Sequence, residues 1–181
     1  QVLLIHALKE RGDPSALPEV VAAASSETTS VRVAALTALG VLGDASCVLP
    51  LAQATVSPEP EETKAARKSL TQVRGSEVNA EILRIIASAD NLMRIELTRC
   101  LAARAATEAV HPLLDLARGP EGNLRKEAFQ ALGTLGSPND LPAMLELLIH
   151  EPDQDVRATA SSAVVSVAKR VKSPSTPSEP I

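Results

Sequence analysis

Apolar residues at Val31, Ala34, Ala35, Ala38, Leu39 and Leu42 recur at intervals of three and four, the spacing that lines one face of an α-helix. Gly43-Asp44 then interrupts the stripe, as glycine and turn-forming residues do. The same pattern returns along the whole chain. Its central landmark falls at Leu8, Leu39, Leu70, Leu101 and Leu132, each 31 residues after the last, and then at Val164, 32 residues on. An arginine stands early in the stripe at Arg32, Arg94, Arg125 and Arg157, with Thr63 as the exception. Ahead of the stripes, proline recurs at Pro18, Pro50, Pro112 and Pro142, near a helix start where a missing N–H costs little. Self-similarity at this period is the mark of stacked repeats, each one supersecondary unit.

The pattern predicts helix pairs. Residues 2–11 are the second half of a pair, ended by Gly12-Asp13-Pro14 because glycine takes the left-handed conformation and proline cannot continue the turn. Pairs follow over 16–24 and 31–42, 46–55 and 62–73, 77–88 and 92–103, 108–117 and 124–135, and 141–149 and 156–170. Ser30, Asn123 and Asp155 are the expected N-caps of their helices. Gly43-Asp44 is expected to close its helix as Gly12-Asp13 does. Residues 1–172 form the repeat region, and 173–181, with three prolines in nine residues, a disordered tail or linker.

The stretches VRVAALTALGVLGD (31–44) and NLRKEAFQALGTLGS (123–137) resemble the second helix of a HEAT repeat. The short period resembles the variety named after the phycobilisome lyases. Tetratricopeptide units need large aromatics and ankyrin units a TPLH-like turn, and neither is present. Over residues 1–172 the resemblance implies an all-α fold: an α-solenoid, a right-handed superhelix of about five antiparallel helix pairs, each touching its neighbours. It further implies that second helices line a concave side where partners bind.

Composition agrees with thin, closely packed layers, since Phe129 is the one aromatic in a chain that is 45% hydrophobic. A net charge of −4 and pI near 5.4 argue against nucleic acid, whose binders carry a basic footprint. Without Trp or Tyr, base-stacking platforms are also missing. Cys47 and Cys100 lack metal-ligand spacing, and Cys100 occupies the buried slot of Ala38. No apolar run reaches membrane-spanning length, and residues 2–8 lack the flanks of a signal peptide. Both ends read as cuts or linkers of a longer polypeptide, so a targeting signal can lie outside this stretch; a cytoplasmic setting is slightly favoured.

Catalytic chemistry is expected to be absent. His6, His111 and His150 are far apart and none has the i, i+4 partner of a helical zinc site. One hydroxylase built from HEAT repeats binds iron through several His-Glu dipeptides, whereas this chain has one, His150-Glu151. Glu59, Glu61 and Glu62 lie beside prolines and read as a solvated acidic stretch rather than an acid–base pair. No G-x-S-x-G, P-loop or G-x-G-x-x-G is found. The expectation is therefore a chain that is not an enzyme, with no cofactor and no metal.

Function is sought on the face opposite the stripe. At 100° per residue, positions 33, 36, 37 and 40 and their equivalents point away from positions 31, 34, 35, 38, 39 and 42. Across the 24 such positions the chain places six Lys or Arg and no acid. Val33, Leu36, Lys64, Arg67, Lys68, Ile95, Arg99, Lys126 and Phe129 are the expected partner-binding residues, cations to attract an acidic segment and apolar groups to anchor it. Arg32, Arg94, Arg125 and Arg157 are expected to form a structural ladder. Arg104 replaces the Leu42 and Leu135 of other repeats, implying loose packing or a side chain snorkelling outward. The leading function is a non-catalytic protein-binding scaffold for a protein or acidic peptide, one domain of a larger protein, with a monomer favoured. The alternative is an accessory domain or subunit of an enzyme, phycobilin-lyase-like; nucleic-acid binding ranks last.

Overall fold

Every apolar stripe becomes a helix in the computed structural model, which describes residues 1–171 with the Val171 side chain excepted. The segment 173–181, expected to be a disordered tail, lies outside the described residues. Helices, short 3-10 turns and connecting loops account for all of them, with no strand among the described residues. The fold class is all-α and of α-solenoid type, and contacts divide the chain into two compact units, Gln1–Arg104 and Ala105–Ile181.

The first unit holds α1 (Val2–Arg11), α2 (Leu17–Ala23), α3 (Thr29–Leu42), α4 (Val48–Ala54), α5 (Pro60–Gln72), α6 (Val78–Ile86) and α7 (Asn91–Ala103). The second helices form one layer, α1 against α3, α3 against α5 and α5 against α7, while α2, α4 and α6 back α3, α5 and α7 respectively. Leu39, Leu70 and Leu101 are fully buried at the centre. Each contributes about 1.5–3 kcal/mol relative to an exposed side chain. Helices α3 and α5 approach closely because Gly40 has no side chain. A Cβ there would stand 2.7 Å from Ser69 Oγ and 2.9 Å from its Cα.

The second unit holds α8 (Val110–Leu116), α9 (Gly122–Leu135), α10 (Leu141–His150) and α11 (Gln154–Val171). Here α8 backs α9, α9 packs along α11, and α10 backs α11. Leu132 and Phe129 are fully buried in it.

Helix starts differ from the expectation. The N-caps of α3, α5, α7 and α9 are Thr28, Glu59, Asp90 and Glu121, themselves 31 residues apart. Ser30, Asn123 and Asp155 therefore lie inside the first turn. The cap of α7 is Asp90, whose Oδ1 accepts from Met93 N at 2.9 Å. At the start of α11, Asp153 Oδ1 accepts from Asp155 N and Val156 N. The first helical turn need not be apolar, so the stripe understates where each helix begins. The same reason corrects the acidic stretch. Glu61 and Glu62 belong to the first turn of α5, and Glu62 is buried.

Helix ends differ too. Gly12 is left-handed (φ 67°) as expected, but Gly43 is extended (φ −77°, ψ 161°). Gly43 is needed for space instead, since a Cβ would collide with Leu39 O. The following turns share one device. Asp13 Oδ1 accepts from Ser15 N and Oγ, and Asp44 Oδ1 from Ser46 N and Oγ. These bonds hold both carboxyls below the ordinary aspartate range.

Arginines tie the repeats together. Arg32 donates to Glu62 Oε1 at 2.7 Å and to Ser26 O and Glu27 O at 2.8 Å. Arg125 grips both oxygens of Glu151 at 2.8–2.9 Å and donates to Pro120 O at 2.8 Å. Arg157 donates to Glu151 O. Arg94 departs from the expected ladder, its Nε buried with no hydrogen-bond partner. Arg104 is neither loosely packed nor swung outward. It donates to Leu70 O at 2.7 Å, Val73 O at 2.8 Å and Asn79 Oδ1 at 2.6 Å, filling carbonyls that the end of α5 leaves without helical partners. Arg170 does the same for α9 through Gly133 O and Thr134 O.

Candidate partner-binding face

The cations of α5 and α7 are organised by one buried acid. Glu96 sits in the stripe of α7 where α3 has Ala34, so its side chain is 3% exposed. Arg67 Nε donates to Glu96 Oε2 at 2.6 Å, and its terminal nitrogen to Oε1 at 2.8 Å. Arg99 donates to the same Oε1 at 2.8 Å. A buried carboxylate is costly unless its lone pairs are filled, and three charge-assisted bonds fill them. Both arginine side chains remain 53% exposed while the acid holds them. Lys64 and Lys68 are exposed on α5 beside Arg67.

Below these guanidiniums, between α5 and α7, lies a cleft of about 140 Å³. Thr55, Leu70, Thr71, Cys100 and Ala103 complete its walls. Its polar groups are already engaged, Thr55 Oγ1 with Ala52 O at 2.6 Å and Thr71 Oγ1 with Lys68 O at 2.7 Å. Burial pushes the Cys100 thiol up to about 12, so it stays protonated and packs as a small apolar group.

The remaining expected residues divide. Val33 and Ile95 are half-buried on the second-helix layer of the same unit, and Lys126 is exposed in the other unit. Leu36 and Phe129 are corrected. They are 2% and 0% exposed and belong to the core rather than to a surface. Helix α3 packs against both α1 and α5, so its buried arc is wider than the stripe and takes in Leu36. Thr98, at the same position, is fully buried as well. The acid-free reading of the face is also corrected, because Glu96 offsets part of the charge of Arg67 and Arg99. It left a signal that went unread, an acid at a stripe position that α3 and α5 fill with Ala34 and Ala65 and that α9 also fills with an acid, Glu127.

The histidines are exposed. In the His150-Glu151 dipeptide, His150 Nδ1 lies 2.8 Å from Glu146 O, and Arg125 holds the Glu151 carboxylate. That bond holds Glu151 below the ordinary carboxylate range and raises Arg125. Among the described residues no three or more His, Cys, Asp or Glu side chains are grouped as metal ligands. No helix among them is long and apolar enough to cross a membrane.

Comparison with known proteins places this arrangement. No curated protein matches the chain. Among solved structures it is similar to human deoxyhypusine hydroxylase in complex with glycerol, at 19% identity over 93% of this chain and 81% of that one, with a TM-score of 0.52. An engineered protein matches at 20% identity over 93% and 90% of the two chains, with a TM-score of 0.47. The complex of CpcE and CpcF of phycocyanin lyase from Nostoc matches at 18% identity over 89% and 86%, with a TM-score of 0.37. The hydroxylase corrects the expectation that the chain is not an enzyme. An enzyme shares its fold, so a helical-repeat architecture does not argue against catalysis. The model of HEAT repeats matches residues 1–71 and 78–164, and this chain belongs to the HEAT-repeat family.

Proposed function

We propose that this HEAT-repeat protein is a protein-binding scaffold whose α5–α7 face holds an acidic, partly apolar polypeptide segment. The observation that carries the reading is the row of Lys64, Arg67 and Lys68 on α5, with Arg67 and Arg99 fixed at its edge by the buried Glu96. Exposed cations raise the local concentration of an anionic partner and speed its encounter. Preorganised guanidiniums lose less freedom on binding than mobile ones do. The whole chain carries net charge −4, so this cationic face stands out against its background.

The test is a titration of short fluorescent Asp/Glu-rich and Lys/Arg-rich peptides at low salt. The acidic peptides bind and weaken as salt is raised, because exposed charges are screened over about 10 Å at 0.1 M. The Lys64→Glu/Lys68→Glu variant weakens them about tenfold or more, a loss of about 1.4 kcal/mol. These lysines are chosen because reversing Arg67 or Arg99 would also strip a partner from buried Glu96. Equal binding of both peptide classes, or no change in the variant, overturns the reading.

A further inference from the structure

We infer that the cleft between α5 and α7 seats one aliphatic side chain of that acidic segment, with flanking carboxylates directed to the cations at its rim. The inference rests on the scaffold reading above and specifies what the segment must carry. Three observations support it. The first is size: about 140 Å³ is close to the roughly 150 Å³ of an apolar cavity that accepts benzene, enough for one leucine-sized group. The second is chemistry. Leu70, Cys100 and Ala103 line the cleft, and the two threonine hydroxyls already donate to backbone carbonyls. The Glu96 oxygens are taken up by guanidinium groups. A polar occupant would have to give up its hydrogen bonds to water for little in return. The third is charge complementarity, since Lys64 and Lys68 flank the same helix face and Arg67 and Arg99 border the opening.

The geometry thus assigns two contributions to one motif. Carboxylates steer and orient the segment, and a buried aliphatic group sets how long it stays. Small desolvated pockets rimmed by polar contacts are where interface energy concentrates.

The test compares an acidic peptide bearing a central leucine with the same peptide bearing alanine there, by fluorescence anisotropy on the full chain. The leucine peptide binds about tenfold more tightly, as expected for burying one such side chain. Ala103→Leu plugs the cleft from an exposed helical position and brings the leucine peptide down to the alanine level while leaving the alanine peptide unchanged. Thr71→Leu, on the opposite wall, is a second plug in case the first variant melts at a lower temperature. Equal affinity of the two peptides, or a leucine preference that survives both plugs, overturns the inference and leaves the scaffold reading standing. Failure of both peptides to bind overturns the inference and the scaffold reading together. Tighter binding of a single-stranded oligonucleotide, competed off by neither peptide, overturns the choice of a polypeptide occupant.

Discussion

Glu151 illustrates how much one acid can do in this fold. Its side chain is almost fully buried; both oxygens accept from Arg125, its Oε1 also accepts from Asp153 N, and its carbonyl accepts from Arg157. The hydrogen bond from Arg125, and then the Asp153 amide, hold its carboxyl below the ordinary range. A folded-state value below the unfolded one means stability that is complete above the unfolded value, about 4.3. That stability is lost as pH falls through the lower folded value. Glu151→Gln lacks this contribution at every pH. Thermal melts are therefore expected to show the natural chain well above Glu151→Gln at neutral pH, with the gap closing as pH falls below the ordinary carboxylate range. A gap that stays constant with pH would contradict the assignment. Residue-level chemistry of this kind was only partly legible. Arg125 was readable as structural from its recurring position, but its partner lies 26 residues away at the end of another helix.

At the scale of elements, the repeat pattern is informative where it holds and misleading where it is broken for a reason. Arg104 stands in a leucine position, and conformity to the pattern would suggest Arg104→Leu as a stabilising change. The structure reverses that expectation. The guanidinium fills the carbonyls of Leu70 and Val73 at the end of α5, where a cation also opposes the negative end of the helix dipole. Hydrogen bonds from charged groups contribute about 1.5–3 kcal/mol, so Arg104→Leu is expected to destabilise the first unit by about 2 kcal/mol. Urea unfolding followed by circular dichroism measures this, and an unchanged or higher midpoint would refute it. Helix identity and length were readable because apolar spacing is a local property. The caps were not, because the residues that open each helix are polar and leave no stripe.

For the molecule as a whole, the two buried thiols provide a readout of cohesion. Cys47 and Cys100 are 0% and 5% exposed, and burial raises both above the ordinary thiol range, Cys100 to about 12. Only the thiolate reacts readily, so alkylation of the native chain at pH 8 is expected to proceed at the rate of unfolding events rather than at that of an exposed cysteine. Mild urea below the transition should accelerate it in proportion to the unfolded population. Prompt labelling of either cysteine in the native state would show that the first unit opens locally.

The helices, their 31-residue period, the central leucines and membership of a helical-repeat class are all written in the order of the residues. All of these follow from side-chain spacing within one helix and from self-similarity along the chain. Relations between helices came from tertiary packing. It turned Leu36 and Phe129 from expected anchors into core, Leu36 because α1 and α5 flank α3 and widen its buried arc. It brought Arg67 to Glu96, 29 residues away, and set Arg104 on the end of α5. These outcomes depend on the rotation and offset of one helix against the next, which periodicity within a helix leaves open. The face on α5 and α7 was visible in the chain as a run of cations. Its cleft, its buried acid and the fixed placement of its guanidiniums came from the packing.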